Sequence, residues 1–413
     1  MIYDVVISGA GPAGAMAARV LAEAGIKVIA FDKAKLPWRK PCGGGVPEHV
    51  FSEGLLDYNE FKKNKIIDKD TKNLYLRAPS GKELVIETPG ETVVDRKIFD
   101  QYLRDKATDA GAEIQDQTSV RDLIRNQDGF VSGVKIKGPG GIQEISSKIL
   151  IVADGVGSKL VVKGGLRKKW LPTDYAICAV ALIEGYIERP PLSDSMQIYI
   201  DENVAPNSYA WLFPMANNRA NIGIGIWKKS EKRPMEFLIR LTEQPFFKKK
   251  LDETKFKIFW KSSYPIPIQG VKGRTYGDGI MGVGDAMGFV APIIGEGIFS
   301  ALLTGKLAAE TAIKALEIGD YSKAVLKEYQ KSWVKYGLKE GYNFQRMMRD
   351  GIVEGGNINE SFNKLIDWAL EDEYNKNLLG ELFVSGTSLA GNIPPELIKK
   401  LGEELIPKLS SSK

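Results

Sequence analysis

Hydrophobic residues along this chain come in short bursts whose spacing changes from segment to segment. Tyr3-Asp4-Val5-Val6-Ile7-Ser8 is nearly continuous and stops at Gly9, which predicts a buried strand. Pro12 to Gly25 is alanine-rich, opens on proline and closes on glycine, as helices do. Ile26 to Phe31 is a second buried strand, ending at Asp32. Lys33 to Gly45 reads as a loop rich in Lys, Pro and Gly. Leu74 to Glu87 reads as a hairpin turning at Ser80-Gly81. Asp95 to Gly111 reads as a helix with Asp95 as its N-cap. Lys148 to Asp154 returns as a buried strand. From Ala176 to Trp227 the texture is β, and Phe256 to Tyr264 adds a strand. Gly279 to Gly284 is a further buried strand, followed by a long helix from about Gly295 to Gly319. The remainder is mostly helical, with a polar linker near Gly355 to Asn359 and an SSSK tail. The β-rich middle lies between segments that belong together, so the pattern predicts interleaved lobes.

Composition narrows the chemistry. The 413 residues are 43% hydrophobic, enough for a sizeable core. A net charge of +5 on 57 basic and 52 acidic side chains is too small an excess to argue for nucleic acid. It is compatible with a loose contact on an anionic membrane surface, with Lys248-Lys249-Lys250 as a candidate. The single histidine, His49, argues against a metal site or a histidine triad; a surface or cap position on a short helix is expected for it. Cys42 and Cys178 are too few for a disulfide framework or an iron–sulfur cluster, and a reducing cytoplasm is the default. Cys178, in an apolar strand, reads as a buried structural thiol. No signal peptide is expected, because the chain enters a strand at once. The apolar stretch Gly279 to Leu303 carries Asp285 and Glu296 and makes a poor membrane span.

Gly9-Ala10-Gly11-Pro12-Ala13-Gly14 is a GxGxxG sequence between a predicted strand and helix. The first glycine allows the tight turn, the second lets backbone approach a pyrophosphate, and the third lets helix and strand pack closely. The helix N-terminus offers free N–H groups to phosphates, and Asp32, with Lys33 after it, closes the second strand where a carboxylate meets ribose hydroxyls. The expected fold class is therefore α/β. A Rossmann-type nucleotide lobe (1–75, 95–172 and 270–320) is interleaved with a β-rich substrate lobe (76–94 and 173–269). A helical C-terminal region (321–413) follows.

Later motifs decide which dinucleotide. Met281-Gly282-Val283-Gly284-Asp285-Ala286, followed by Pro292-Ile293-Ile294-Gly295-Glu296-Gly297-Ile298, resembles the second flavin signature of FAD-dependent hydroxylases and their reductase relatives. Ala153-Asp154-Gly155 with Ser158 resembles the middle signature, and Arg96 matches an arginine used near FAD. The resemblance implies FAD, with Asp285 on its sugar-alcohol chain. A helix starting near Gly295 would turn its positive end to the flavin pyrimidine.

Two further stretches, Lys40-Pro41-Cys42-Gly43-Gly44-Gly45 and Tyr209-Ala210-Trp211-Leu212-Phe213-Pro214 with Asn221-Ile222-Gly223, together resemble the geranylgeranyl reductase family. The resemblance runs to about residue 320. It implies saturation of isolated double bonds in isoprenoid chains of lipids. On a strand, Tyr209, Trp211 and Phe213 share one face, either a wall for a prenyl chain or an aromatic core face. The glycine triplet suits backbone passing close to something flat, such as a flavin ring. Alkene reduction needs a hydride and a proton; Cys42 either donates that proton or shapes the pocket. Two other readings are a flavin monooxygenase or halogenase and a flavin electron carrier. The electron donor is open among ferredoxin, NADPH and a deazaflavin.

Overall fold

Strand Ile2–Ser8 is apolar on both faces because it lies inside a parallel sheet covered on both sides. It runs parallel to Val28–Phe31 and to Gly141–Val152, with Val5 opposite Val28 on one side and Ile149 on the other. Glu113–Gln115 and Ile280–Gly282 extend the sheet at either side. The register brings Ser8, Phe31, Val152 and Gly282 level with one another. The carboxyl ends of four strands thus share one rim, the place where open α/β sheets bind ligands. The computed structural model describes residues 2–227, 233–354 and 357–384.

Helix Pro12–Glu23 packs between Arg96–Asp109 and Ile298–Ile318. Asp95 caps helix Arg96–Asp109, its Oδ1 accepting the Lys97 N–H at 2.9 Å. Helix Ile298–Ile318 ends at Gly319 with φ 75°, as expected, but begins at Ile298 rather than Gly295. Gly295, at φ 69°, belongs to the turn before it.

The second sheet has eight strands, antiparallel except where Ser195–Tyr199 runs parallel to Asn73–Arg77. Its hairpin, Ile67–Arg77 with Glu83–Val94, is longer than the sequence suggested, so the expected division at residue 75 cuts through a strand. The short strand Gly45–Pro47 also joins this sheet. Strand Ala210–Met215 shows the period-two logic: Ala210 and Leu212 enter a core beneath helix Pro234–Glu243, while Trp211 and Phe213 face the other way. Pro214 shares the parity of Leu212. On the Trp211 face, helices Ile358–Ala369 and Glu373–Val384 cover the sheet with Phe362, Leu365, Leu378 and Leu379. Gly380 permits this contact, since a Cβ there would meet Ile86 at 2.7 Å. The expected linker is short: Asn357 already caps helix Ile358–Ala369, and residues 355–356 and the SSSK tail lie outside the described residues.

His49 corrects the sequence reading. It opens helix His49–Ser52, but its ring is 9% exposed and meets Phe299 edge-on, with centroids 4.2 Å apart. Burial disfavours the imidazolium and lowers its pKa to about 4. Between the unfolded value near 6.5 and that folded value, the unfolded chain takes up a proton the folded one refuses. Stability therefore falls as pH drops through this window, by about 3 kcal/mol once complete. We expect His49→Leu to abolish this component. Urea denaturation at pH 7 and pH 5 should show wild type losing about 2 kcal/mol more than the variant. Equal losses would contradict the burial argument.

Candidate active site

A cavity of about 590 Å³ runs from the rim of the parallel sheet to the Trp211 face of the second sheet. Its walls collect Gly9, Gly11, Pro12, Ala13, Asp32 and Lys33 from the βαβ unit, and Cys42, Gly43, Gly44 and Gly45 from the glycine loop. Arg96, Ala153, Asp154, Gly155, Gly284, Asp285, Gly295, Gly297 and Ile298 line it too, as do Tyr209, Trp211 and Phe213. Three expected residues are not on its wall. Gly14 packs against the Gly9 carbonyl, Pro214 belongs to the opposite strand face, and Pro292 is buried in the preceding turn.

The three glycines of GxGxxG divide their roles sharply. Gly9 sits at φ 99°, and a Cβ there would lie 2.3 Å from the Ala153 carbonyl oxygen. A Cβ on Gly14 would lie 1.9 Å from the Gly9 oxygen. These two are demanded by the protein's own backbone. Gly11 has nothing within 4 Å of its Cβ position. That space lies over the start of helix Pro12–Glu23, where N–H groups are unused by the helix. Asp32 is held in place, Oδ2 accepting the Ala10 N–H at 2.9 Å and Oδ1 that of Ala34 at 2.8 Å. Each oxygen keeps a further lone pair for a hydroxyl donor. Asp154 Oδ1 is buried without a partner among the described residues. Burial raises the Asp154 carboxyl to about 6 against the opposing Ser158 hydrogen bond. An open cradle, an oriented carboxylate and an orphaned acceptor fit a dinucleotide.

The glycine loop is stacked against the aromatic strand. A Cβ on Gly43 would meet Phe213 at 2.7 Å and Trp211 Nε1 at 3.2 Å; one on Gly45 would meet Met196 at 2.7 Å. Gly44 adopts φ 78° and passes 2.4 Å, in Cβ terms, from the Val94 oxygen. The flat partners the triplet requires within the chain are thus Phe213 and Trp211. Trp211 Nε1 donates to Asn221 Oδ1 at 3.1 Å, and Asn221 Nδ2 donates to the Cys42 carbonyl at 2.8 Å. Tyr209 donates its hydroxyl to the Ile294 carbonyl. The aromatic face is therefore tied to both loops that border the flavin signatures. Beyond it the lining turns apolar, with Leu74, Val180, Met196, Ile198 and Phe383.

Of the charged groups here the sequence singled out Arg96 but passed over Lys40 and Glu91 as site residues. Lys40 Nζ pairs with Asp285 at 2.7 Å and stands over the Tyr264 ring. Burial alone would lower its pKa; Asp285 and Tyr264 outweigh it and raise the value. Arg96 forms a buried fork on Asp100 and also bonds the Cys42 side chain. Glu91 lines the cavity, and nothing in the alternation of its strand set it apart from a surface carboxylate. One expectation gains a detail and one changes. Cys178 packs against the core of the second sheet and also lines the cavity, and burial pushes its thiol up to about 12. Lys250 is buried on Glu188 at 2.9 Å, leaving Lys248 and Lys249 of the lysine run exposed.

Comparison with known proteins agrees with this geometry. Residues 2–332 match the family model described as FAD binding domain. Digeranylgeranylglycerophospholipid reductase 2 of Methanothermobacter thermautotrophicus is 33% identical over 89% of this chain and 91% of that protein. A geranylgeranyl bacteriochlorophyll reductase-like protein from Thermoplasma acidophilum superimposes with a TM-score of 0.82 at 24% identity, covering 100% of this chain and 99% of the other. A flavin-dependent brominase superimposes with a TM-score of 0.73 at 22% identity, over 99% and 100% of the two chains. The fold is thus shared by reductases and halogenases, while sequence similarity at full domain length is to reductases. The chain belongs to the FAD-binding-domain flavoproteins and, within them, to the digeranylgeranylglycerophospholipid reductase family.

Proposed function

We propose that this protein is an FAD-dependent reductase that saturates isolated double bonds of geranylgeranyl or polyprenyl chains in lipids or lipid precursors. The observation that carries this reading is the continuity of one cavity from the phosphate-type loop at Gly11 to the apolar wall of Trp211, Phe213, Leu74 and Ile198. FAD, when bound and reduced, supplies hydride. The chain's residues do the rest. Gly11 leaves room for pyrophosphate, Asp32 accepts from ribose, and Asp285 with Lys40 faces the sugar-alcohol chain. Gly295, Gly297 and Ile298 border the ring site. Tyr209, Trp211 and Phe213 exclude water and hold an alkene still, which matters because a small misplacement costs about a hundredfold in rate.

Cys42 lies at the junction of the two halves. Its Sγ accepts the Gly44 N–H at 3.4 Å and meets the Arg96 guanidinium. Both neighbours anchor the sulfur between the glycine loop and helix Arg96–Asp109, and we assign it a pocket-shaping role. No helix among the described residues is long and apolar enough to cross a membrane. For a lipid substrate we assign Lys248 and Lys249 as a basic contact with the cytoplasmic face of a membrane. Electrons come from an external carrier: ferredoxin, NADPH or a deazaflavin.

Pre-reduced protein should be reoxidised by a polyprenyl lipid in the absence of oxygen. Reoxidation by oxygen alone would favour the monooxygenase or halogenase reading that the brominase fold keeps open. Trp211→Ala should retain FAD and slow the lipid-dependent step about a hundredfold. Cys42→Ser should retain FAD and stay within roughly threefold of wild type, against 10²-fold or more if the thiol were the acid. At the phosphate loop, Gly11→Val should fold with a normal circular dichroism spectrum and no flavin absorbance. Gly14→Val should not fold, since its clash is with backbone. A folded, flavin-bound Gly11→Val would remove the loop from the cofactor site.

A further inference from the structure

Alkene reduction leaves one demand unassigned in the cavity: a proton for the carbon that does not receive hydride. The position of Gly45 shows what faces that part of the wall. A Cβ placed there has Met196 at 2.7 Å, Phe213 at 3.6 Å and the Glu91 Oε2 at 4.0 Å around it. One carboxyl group therefore sits against the glycine loop, beside the aromatic wall, in an otherwise apolar corner. Glu91 is placed there by the second sheet: its strand Glu83–Val94 pairs Glu91 with Pro47 on one side and Thr71 on the other. Neither partner carries a charge. We propose that Glu91 is the general acid of the reaction, delivering its carboxyl proton to the prenyl double bond.

This rests on the reductase reading above. With hydride added to one alkene carbon, the π bond is consumed, the Glu91 O–H bond breaks, and a second C–H bond forms at the other carbon. The cofactor ends oxidised, and the glutamate, left as carboxylate, regains a proton from solvent. The acid must be un-ionised at neutral pH, and its surroundings arrange this. Burial, then the like charge of Glu296, raise the Glu91 carboxyl to about 8. Glu296 stands just before helix Ile298–Ile318 and is fixed there, its Oε1 accepting the Phe299 N–H at 2.7 Å. Two cations of the cavity are committed elsewhere, Lys40 to Asp285 and Arg96 to Asp100. Its remaining titratable groups are Asp32, Lys33, Cys42, Asp154, Cys178, Tyr209 and Tyr264. The groups that raise the Glu91 carboxyl are its buried surroundings and Glu296.

The sign follows from a raised carboxyl value: the acid form is present below about pH 8 and is lost as pH rises through it. Lipid-dependent reoxidation should be flat below that point and fall above it. The test compares Glu91→Gln with wild type in the FAD-loaded protein, using geranylgeranylated glycerophospholipid. Expected are full FAD content, normal flavin reduction, a loss of at least a hundredfold in the lipid step, and no alkaline limb. Independently of turnover, infrared spectra at pH 7 should contain an un-ionised carboxylic C=O band that Glu91→Gln removes. Glu296→Gln, which keeps an amide oxygen for the Phe299 N–H, should move the alkaline limb to lower pH. A Glu91→Gln protein that keeps pace with an active wild type, or keeps the infrared band, overturns the assignment and leaves the reductase intact. A wild type that reduces no prenyl chain overturns both.

Discussion

Backbone touching backbone at the mouth of the parallel sheet is the constraint on which the site depends. Gly9 lies against the Ala153 carbonyl, Gly14 against Gly9, and Gly305 places helix Ile298–Ile318 against the Ala13 backbone, with a virtual Cβ-to-oxygen distance of 2.3 Å. No side chain larger than hydrogen fits at these crossings. They pull together segments far apart in sequence, so that Asp32, Asp154 and Asp285 reach one rim. A methyl group at any of these positions would separate the carboxylates before it touched a ligand.

From that rim outward, the cavity changes character. Near the nucleotide end, polar groups are oriented by backbone N–H groups, as Asp32 is. Toward the second sheet, orientation comes from aromatic faces and from the helices that cover them. Reductases and a brominase share this scaffold. A shared frame therefore does not by itself fix the chemistry.

Much of this was readable from sequence because it depends on backbone conformation and on period. Glycines that require positive φ or zero volume announce themselves in GxGxxG and in the triplet Gly43-Gly44-Gly45. The alternation of Tyr209, Trp211 and Phe213 announces a face. What stayed hidden has no local signature. Glu91 is one acid in a hairpin that also carries Glu83 and Glu87, and its neighbour Glu296 lies far along the chain. Lys40 looked like one more loop lysine until folding set it on Asp285. His49 was misplaced because a four-residue helix offers too short a pattern to tell its buried face from its exposed one. Lys250 was grouped with its neighbours by charge, although the turn after helix Pro245–Lys248 carries it inward onto Glu188.

The hydrogen bonds from Trp211 through Asn221 to Cys42, and from Tyr209 to Ile294, have a consequence for how such a protein diversifies. Residues on that wall serve two masters, since any change that suits a new hydrocarbon also loosens a loop beside the cofactor. Leu74 and Ile198, on the same sheet face, and Phe383 from the covering helix carry no such tie among the described residues. Selection for new lipids would therefore accumulate substitutions at these untied positions and leave the tied aromatics nearly unchanged, giving a single wall a plastic part and a frozen part.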